Sequence, residues 1–156
     1  MTFQIRALPA GQFAHLTQLS DAELAAQNIH KRVVDANPGY PCRVSLQDAG
    51  IGETVFLLHH CHHDEATPYR ASHAIFVRAG ATQAQPELGE VPESLTLRLI
   101  SIRAFNEAHD MVAADVAEGV NLATAIPDML SKEGVAYLHL HNARPGCYAA
   151  RVDPVR

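Results

Sequence analysis

Apolar and polar residues alternate with a period of two over much of this chain, which predicts strands that each bury one face. Phe3 to Ala7 reads as a short opening strand, followed by a turn at Pro9-Ala10-Gly11. Ser20-Asp21-Ala22-Glu23 sets a hydroxyl three residues before a carboxylate, the mark of a helix start. With a helical stretch from about Gln12, two short helices are expected in the first thirty residues. Arg32 to Asp35 is a weak strand, and Asn37-Pro38-Gly39-Tyr40-Pro41 is a break. Thr54, Val55, Phe56, Leu57 and Leu58 predict a stronger strand from Glu53 to about Cys61, and Ala74-Ile75-Phe76-Val77 repeats the pattern. An antiparallel pair joined by the loop Asp64 to Ser72 follows.

Residues 79–94 hold Gly80, Pro86, Gly89 and Pro92 among polar residues and read as a surface loop. Beyond them Leu95, Leu97 and Leu99 share one face, whereas Ile100, Ile102 and Ala104 share the other. That change of phase predicts a β-bulge or a strand covered on both sides. Met111 to Val116 returns antiparallel. Asn121 stands as the N-cap of a helix to about Lys132, with Leu122, Ala125, Ile126, Met129 and Leu130 at helical spacing, Pro127 as a kink or a later start, and Gly134 as its stop. Val135 to His141 and Cys147 to Val152 close the chain as a hairpin around Arg144-Pro145-Gly146. A four-residue loop from Ala143 to Gly146 pairs His141 with Tyr148, and a two-residue Pro145-Gly146 turn puts Ala150 opposite His141; both remain open. The expected fold is α+β: a mainly antiparallel sheet with short N-terminal helices and one helix before a C-terminal hairpin, in a single domain over residues 1–156.

Composition fits a folded core, with 47% hydrophobic and 19% charged residues in 156. The net charge of -5 provides no basic face for a phosphate backbone, which removes nucleic acid from the expected partners. No apolar run approaches the roughly 18 residues of a membrane span, and the N-terminus lacks a signal-peptide core. Cys42, Cys61 and Cys147 form no C-x-x-C pair, so the expected compartment is the reducing cytoplasm, with the cysteines as thiols.

Histidine changes the picture more than any other residue type: there are ten, and four lie in His59-His60-Cys61-His62-His63. If that run continues a strand, His59, Cys61 and His63 share one face and His60, His62 and Asp64 the other. Either set has donors for zinc or another divalent transition metal, and His59 with His63 is the weaker metal candidate, because structural zinc draws its ligands from separated pairs. His139-Leu140-His141 places two imidazoles on one strand face. With one more ligand they would form a metal site with an open position; otherwise they form the solvated face of a half-buried strand. Cys147 follows a tight turn close to Arg144 and these histidines, a setting for a nucleophilic thiol. Three arginines stand beside prolines, in Pro41-Cys42-Arg43, Pro68-Tyr69-Arg70 and Arg144-Pro145-Gly146, where stiff turns would hold guanidinium groups toward an anion.

These segments resemble a bacterial family catalogued only as a domain of unknown function. The resemblance rests on Pro41-Cys42-Arg43, on the run from Pro68 to Arg78, on Arg103-Ala104-Phe105 and on the run from His139 to Val152, and it covers nearly the whole chain. Val44-Ser45 departs from it, where relatives have Arg or His and Cys, and the His59 to His63 run is peculiar to this sequence. The resemblance brings no activity with it, but it directs attention to Arg70, His73, His139, His141, Asn142, Arg144 and Cys147. The leading expectation is a pocket for a small anionic molecule between the C-terminal hairpin and the Tyr69 to His73 segment. In it Arg70 and Arg144 bind charge, His139 and His141 orient the ligand or exchange protons, and Tyr148 forms a wall. Its rivals are a metal-dependent hydrolase using His139 and His141 with His73 or Cys147, and a homodimeric interaction module built on an edge strand.

Overall fold

Residues 2–156, described by a computed structural model, form two antiparallel sheets. The larger has the order β1-β8-β7-β5-β6, from β1 (Thr2–Arg6), β5 (Leu99–Phe105), β6 (Met111–Glu118), β7 (Tyr137–Asn142) and β8 (Tyr148–Val155). The smaller has the order β2-β3-β4, from β2 (His30–Val33), β3 (Thr54–His63) and β4 (Ala71–Arg78). Between them run two 3-10 turns (Ala10–Gln12 and Ala14–Gln18), α1 (Asp21–Ala26), α2 (Glu93–Thr96), a 3-10 turn (Gly119–Asn121) and α3 (Leu122–Leu130). The fold is α+β, as expected, with α3 directly before the hairpin of β7 and β8. Ser20 caps α1 through the full capping box with Glu23. Among the described residues no helix is long and apolar enough to cross a membrane.

One face of the larger sheet carries the main apolar core, where Ile100, Ile102, Leu138, Leu140 and Val152 pack with Leu122, Ile126 and Leu130 of α3. The smaller sheet has its own core, in which Phe56, Leu58, Ile75 and Val77 meet Phe13, Leu16 and Leu24. The hairpin takes the four-residue loop: the Asn142 N–H donates to Cys147 O (2.9 Å), the Gly146 N–H to Asn142 O (2.8 Å), and His141 stands opposite Tyr148. Leu140, however, stands opposite Ala150, so β8 has one extra residue, Ala149. Without it, period two would send Tyr148 and Ala150 to the same face. With it, Ala150 and Val152 join the apolar core, while Tyr148 turns to the opposite side and packs on histidines.

The phase change at Leu95 to Ile100 has a different cause from the one expected. Leu95 lies in α2, Leu97 caps it, and β5 starts only at Leu99, so the phase changes at a helix-to-strand boundary and not within a strand. One helical turn is too short for its period to be legible in sequence. Asn121 makes no side-chain capping bond; the 3-10 turn Gly119–Asn121 leads into α3 instead.

Gly119 fits against α2 so closely that a Cβ there would stand 1.9 Å from Leu95 O and 2.7 Å from Arg98 O, both backbone atoms. Gly119→Ala should therefore destabilise the protein by on the order of 3 kcal/mol. Gly11→Ala, where nothing lies within 4 Å, should change stability by less than about 0.5 kcal/mol. Urea midpoints of the two variants check this, and equal midpoints would refute the close approach.

Candidate functional site

Period two does place His139 and His141 on one face of β7, but that face is not solvated. All six residues of β7 are buried. Register sets Arg103 and Ser101 of β5 beside the two histidines, and Tyr148 of β8 opposite His141. The layer covering them comes from β3. The His62 ring stacks on Tyr148 at 5.2 Å and meets His141 edge-on at 4.8 Å, and the His63 ring lies 5.3 Å from His139 and 4.3 Å from Phe105.

Two neighbours in a regular strand cannot face the same way. Here the β3–β4 register shifts between Cys61 and His63, so both His62 and His63 reach the larger sheet. The same shift separates the weaker metal pair: His59 is exposed and hydrogen-bonded to Ser72 Oγ (2.8 Å), while His63 is buried with its Nε2–H on His109 O (2.9 Å). Among the described residues no three His, Cys, Asp or Glu side chains are grouped to hold a metal ion.

Three rings of this layer, His62, His139 and His141, are kept uncharged by burial. Desolvation, reinforced by neighbouring imidazoles and arginines, pulls His139 down to about 2, His62 to about 4 and His141 to about 3, each from 6.5. His141 has one favourable contact: its Nδ1–H donates to Gly146 O (2.9 Å), which leaves Nε2 as the acceptor nitrogen. Nδ1 of His62 and Nδ1 of His139 are buried without partners among the described residues. Burial likewise pushes the Tyr148 hydroxyl up.

Beside this layer, at the turn of the hairpin, lies a cavity of about 620 Å³. Its apolar walls are Leu57, Phe76, Leu97 and Leu99, and its polar wall includes His73, Arg43, Arg98, Asn142, Arg144 and Cys147, with Glu118 as the one carboxylate. The C-terminal hairpin and the end of the Tyr69 to His73 segment thus do line a shared cavity. Not every expected member is there. Arg70 is exposed and pairs with Asp64 (2.9 Å) outside the lining. Because Asp64 stands six residues earlier, across the loop between β3 and β4, the partner is local and holds the side chain at the surface. His139, His141 and Tyr148 belong to the histidine layer, since β7 and β8 turn them toward β3.

Arg43, whose role the sequence did not distinguish from that of the other proline-adjacent arginines, takes the position expected of Arg70. It is 2% exposed and has no carboxylate within salt-bridge distance among the described residues. Its Nε–H donates to Tyr148 O (2.7 Å), Nη1–H to Pro41 O (2.5 Å) and Nη2–H to the Cys147 sulfur (2.9 Å). Burial draws the guanidinium below its usual value and Cys147 opposes that shift. Asn142, 4% exposed, also points Nδ2 at Cys147 (3.6 Å), while its Oδ1 has no partner. Nothing in the sequence marks Arg43 as buried, since its partners Cys147 and Tyr148 are more than a hundred residues away.

The chain belongs to the family described as protein of unknown function (DUF1203), whose model matches residues 39–154. No curated protein and no solved structure matches it. The matched span contains the cavity and the whole histidine layer.

The depressed histidines make stability depend on pH with a definite sign. Below about pH 6.5 the unfolded chain binds protons that folded His62, His139 and His141 refuse, so stability is complete above that pH and falls as pH decreases toward 4 and below. At about pH 5 each of His139 and His141 should cost up to about 2 kcal/mol relative to neutrality. Urea unfolding at pH 7.5 and at about pH 5 checks the sign, and His141→Asn should flatten the dependence. A stability that rises on acidification would contradict neutral burial.

Proposed function

We propose that the protein binds a small organic anion, a carboxylate with an apolar portion, in the cavity at the hairpin turn. One observation carries this reading: two guanidinium groups, Arg43 and Arg144, line the same cavity without a carboxylate in salt-bridge contact among the described residues. Arg98, the third arginine of the lining, is already neutralised by Asp48 (2.6 Å). Arg144 is exposed at the turn between Ala143 and Pro145, where the proline restrains the backbone that carries it. Leu57, Phe76, Leu97 and Leu99 suit the apolar portion of such a ligand, and His73 adds a polar side chain to the wall. In a cytoplasmic setting, the cysteine of the cavity would remain a free thiol.

Butyrate and butyramide have almost the same shape and differ in charge. Butyrate should raise the unfolding midpoint of the protein, with a stabilisation of about 1.4 kcal/mol at ten times its Kd, and butyramide should not. Arg144→Gln should weaken butyrate binding about tenfold or more, as expected for loss of a charge-assisted hydrogen bond. Equal responses to the two compounds, measured by thermal denaturation and by calorimetric titration, would refute the reading.

A further inference from the structure

The cavity at the hairpin turn has a rim of each charge, and the larger sheet sets how far apart they stand. Glu118 is directly opposite Leu99 across the β5–β6 pair, so the two side chains share one side of the sheet. On its other flank Leu99 O accepts the Ala143 N–H (2.9 Å), which brings Ala143, the neighbour of Arg144, one strand beyond Leu99. Glu118 and Ala143 are therefore two strand spacings apart, about 10 Å, with Leu99 between them. The order across the wall is carboxylate, leucine, guanidinium. All three line the cavity together with Leu57 and Phe76 of the smaller sheet.

Glu118 is exposed, and among the described residues no arginine, lysine or histidine lies within salt-bridge distance of it. Arg98, the third arginine of the lining, is taken by Asp48. The residue after Glu118 fixes its backbone: the Gly119 N–H donates to Arg98 O (2.8 Å), and Gly119 fits against α2 with no room for a Cβ. The carboxylate is thus carried on a part of the chain held at the rim. A ligand with only an anionic end would set methylenes against this carboxylate, taking away water and giving no donor in return. An ammonium at that end replaces the water with a charge-assisted hydrogen bond.

We propose that the ligand of this cavity is a short ω-amino carboxylate, whose carboxylate meets Arg43 and Arg144, whose ammonium meets Glu118 and whose methylenes lie over Leu99. The proposal rests on the anion-binding reading above and adds to it a second charge and the spacing between the two. An α-amino acid has both charges on one carbon and does not span the leucine.

Three compounds separate these features. Pentanoate has a methyl group where 4-aminobutyrate has its ammonium, and 2-aminobutyrate is the isomer with adjacent charges. In calorimetric titrations of the full chain at about pH 7, where amine and carboxylate groups are both charged, 4-aminobutyrate should bind at least about tenfold more tightly than either of the others. Glu118→Gln should weaken 4-aminobutyrate about tenfold and tighten pentanoate, opposite signs that a loss of folding would not produce. Arg144→Gln should weaken both.

Pentanoate bound as tightly as 4-aminobutyrate overturns the pairing with Glu118 and leaves the anion-binding reading standing. Tighter binding of 2-aminobutyrate than of 4-aminobutyrate overturns the spacing across Leu99. No binding of any of the three, with butyrate also silent, overturns the anion-binding reading and this proposal with it.

Discussion

A guanidinium group with no carboxylate partner among the described residues joins the two sheets of this protein. The backbone N–H of Arg43 donates to Phe76 O of β4 (3.1 Å), its carbonyl accepts from the Leu8 N–H (3.0 Å), and its side chain reaches Tyr148 O and the Cys147 sulfur at the start of β8. One residue thus ties the edge of the smaller sheet to the hairpin of the larger. Moving an ion of this size out of water costs several kcal/mol even after relaxation, so the site is tenable only because each contact is an acceptor aimed at the positive fork. Exposed pairs such as Arg70–Asp64 have no such constraint and contribute little to stability. Removing the positive fork would leave Tyr148 O and Pro41 O without that donor, in a place with little access to water.

The histidine layer follows from the same junction. Where two sheets meet, residues of one inner face press on residues of the other, and aliphatic side chains usually fill the space. Here the larger sheet presents an aliphatic face to α3 and an imidazole and tyrosine face to β3. A strand of strict period two can serve both sides only if no residue is out of phase, and β8 departs from that rule once. The extra residue Ala149 lets Tyr148 face the histidines and Ala150 the helix, and the shift at His62 does the corresponding work in β3. Edge-on and stacked rings give the layer contacts suited to flat aromatic faces. The unpartnered Nδ1 atoms of His62 and His139 are the cost of building such a layer from rings that carry nitrogen.

What the sequence revealed and what it concealed divides along the distance between partners. Local signals were legible: the Ser20–Glu23 box, the paired strands around Leu57 and Phe76, the helix before the hairpin, and the shared face of His139 and His141. Of the two hairpin registers, the four-residue loop is the one adopted, but pairing by loop length alone would not reveal Ala149 as an extra residue. The placement of His63 was hidden for the same reason, since a register shift is a property of two strands and the sequence presents them one at a time. Arg43, Arg70 and Arg144 looked equivalent because each follows or precedes a proline. Their fates differ through contacts of very different range: Asp64 is close to Arg70 in sequence, whereas two of the three side-chain partners of Arg43, Tyr148 and Cys147, come from the other end of the chain.

The two halves of the site depend on each other through charge. A cavity meant for an anion gains from positive potential, and histidines beside it would add to that potential only if protonated. Burial prevents this in His62, His139 and His141 at neutral pH, so the field in the cavity is set by arginines, whose charge does not vary over the physiological range. Neutral rings also leave Arg43 without competition from neighbouring cations for the acceptors at the hairpin, which keeps Cys147 and the Tyr148 carbonyl in place. Charging the layer would place positive imidazoles behind a guanidinium that has no carboxylate partner among the described residues, and the repulsion would act across the junction that Arg43 closes. Neutrality of the histidines is therefore a condition for the geometry of the cavity as much as for the stability of the fold.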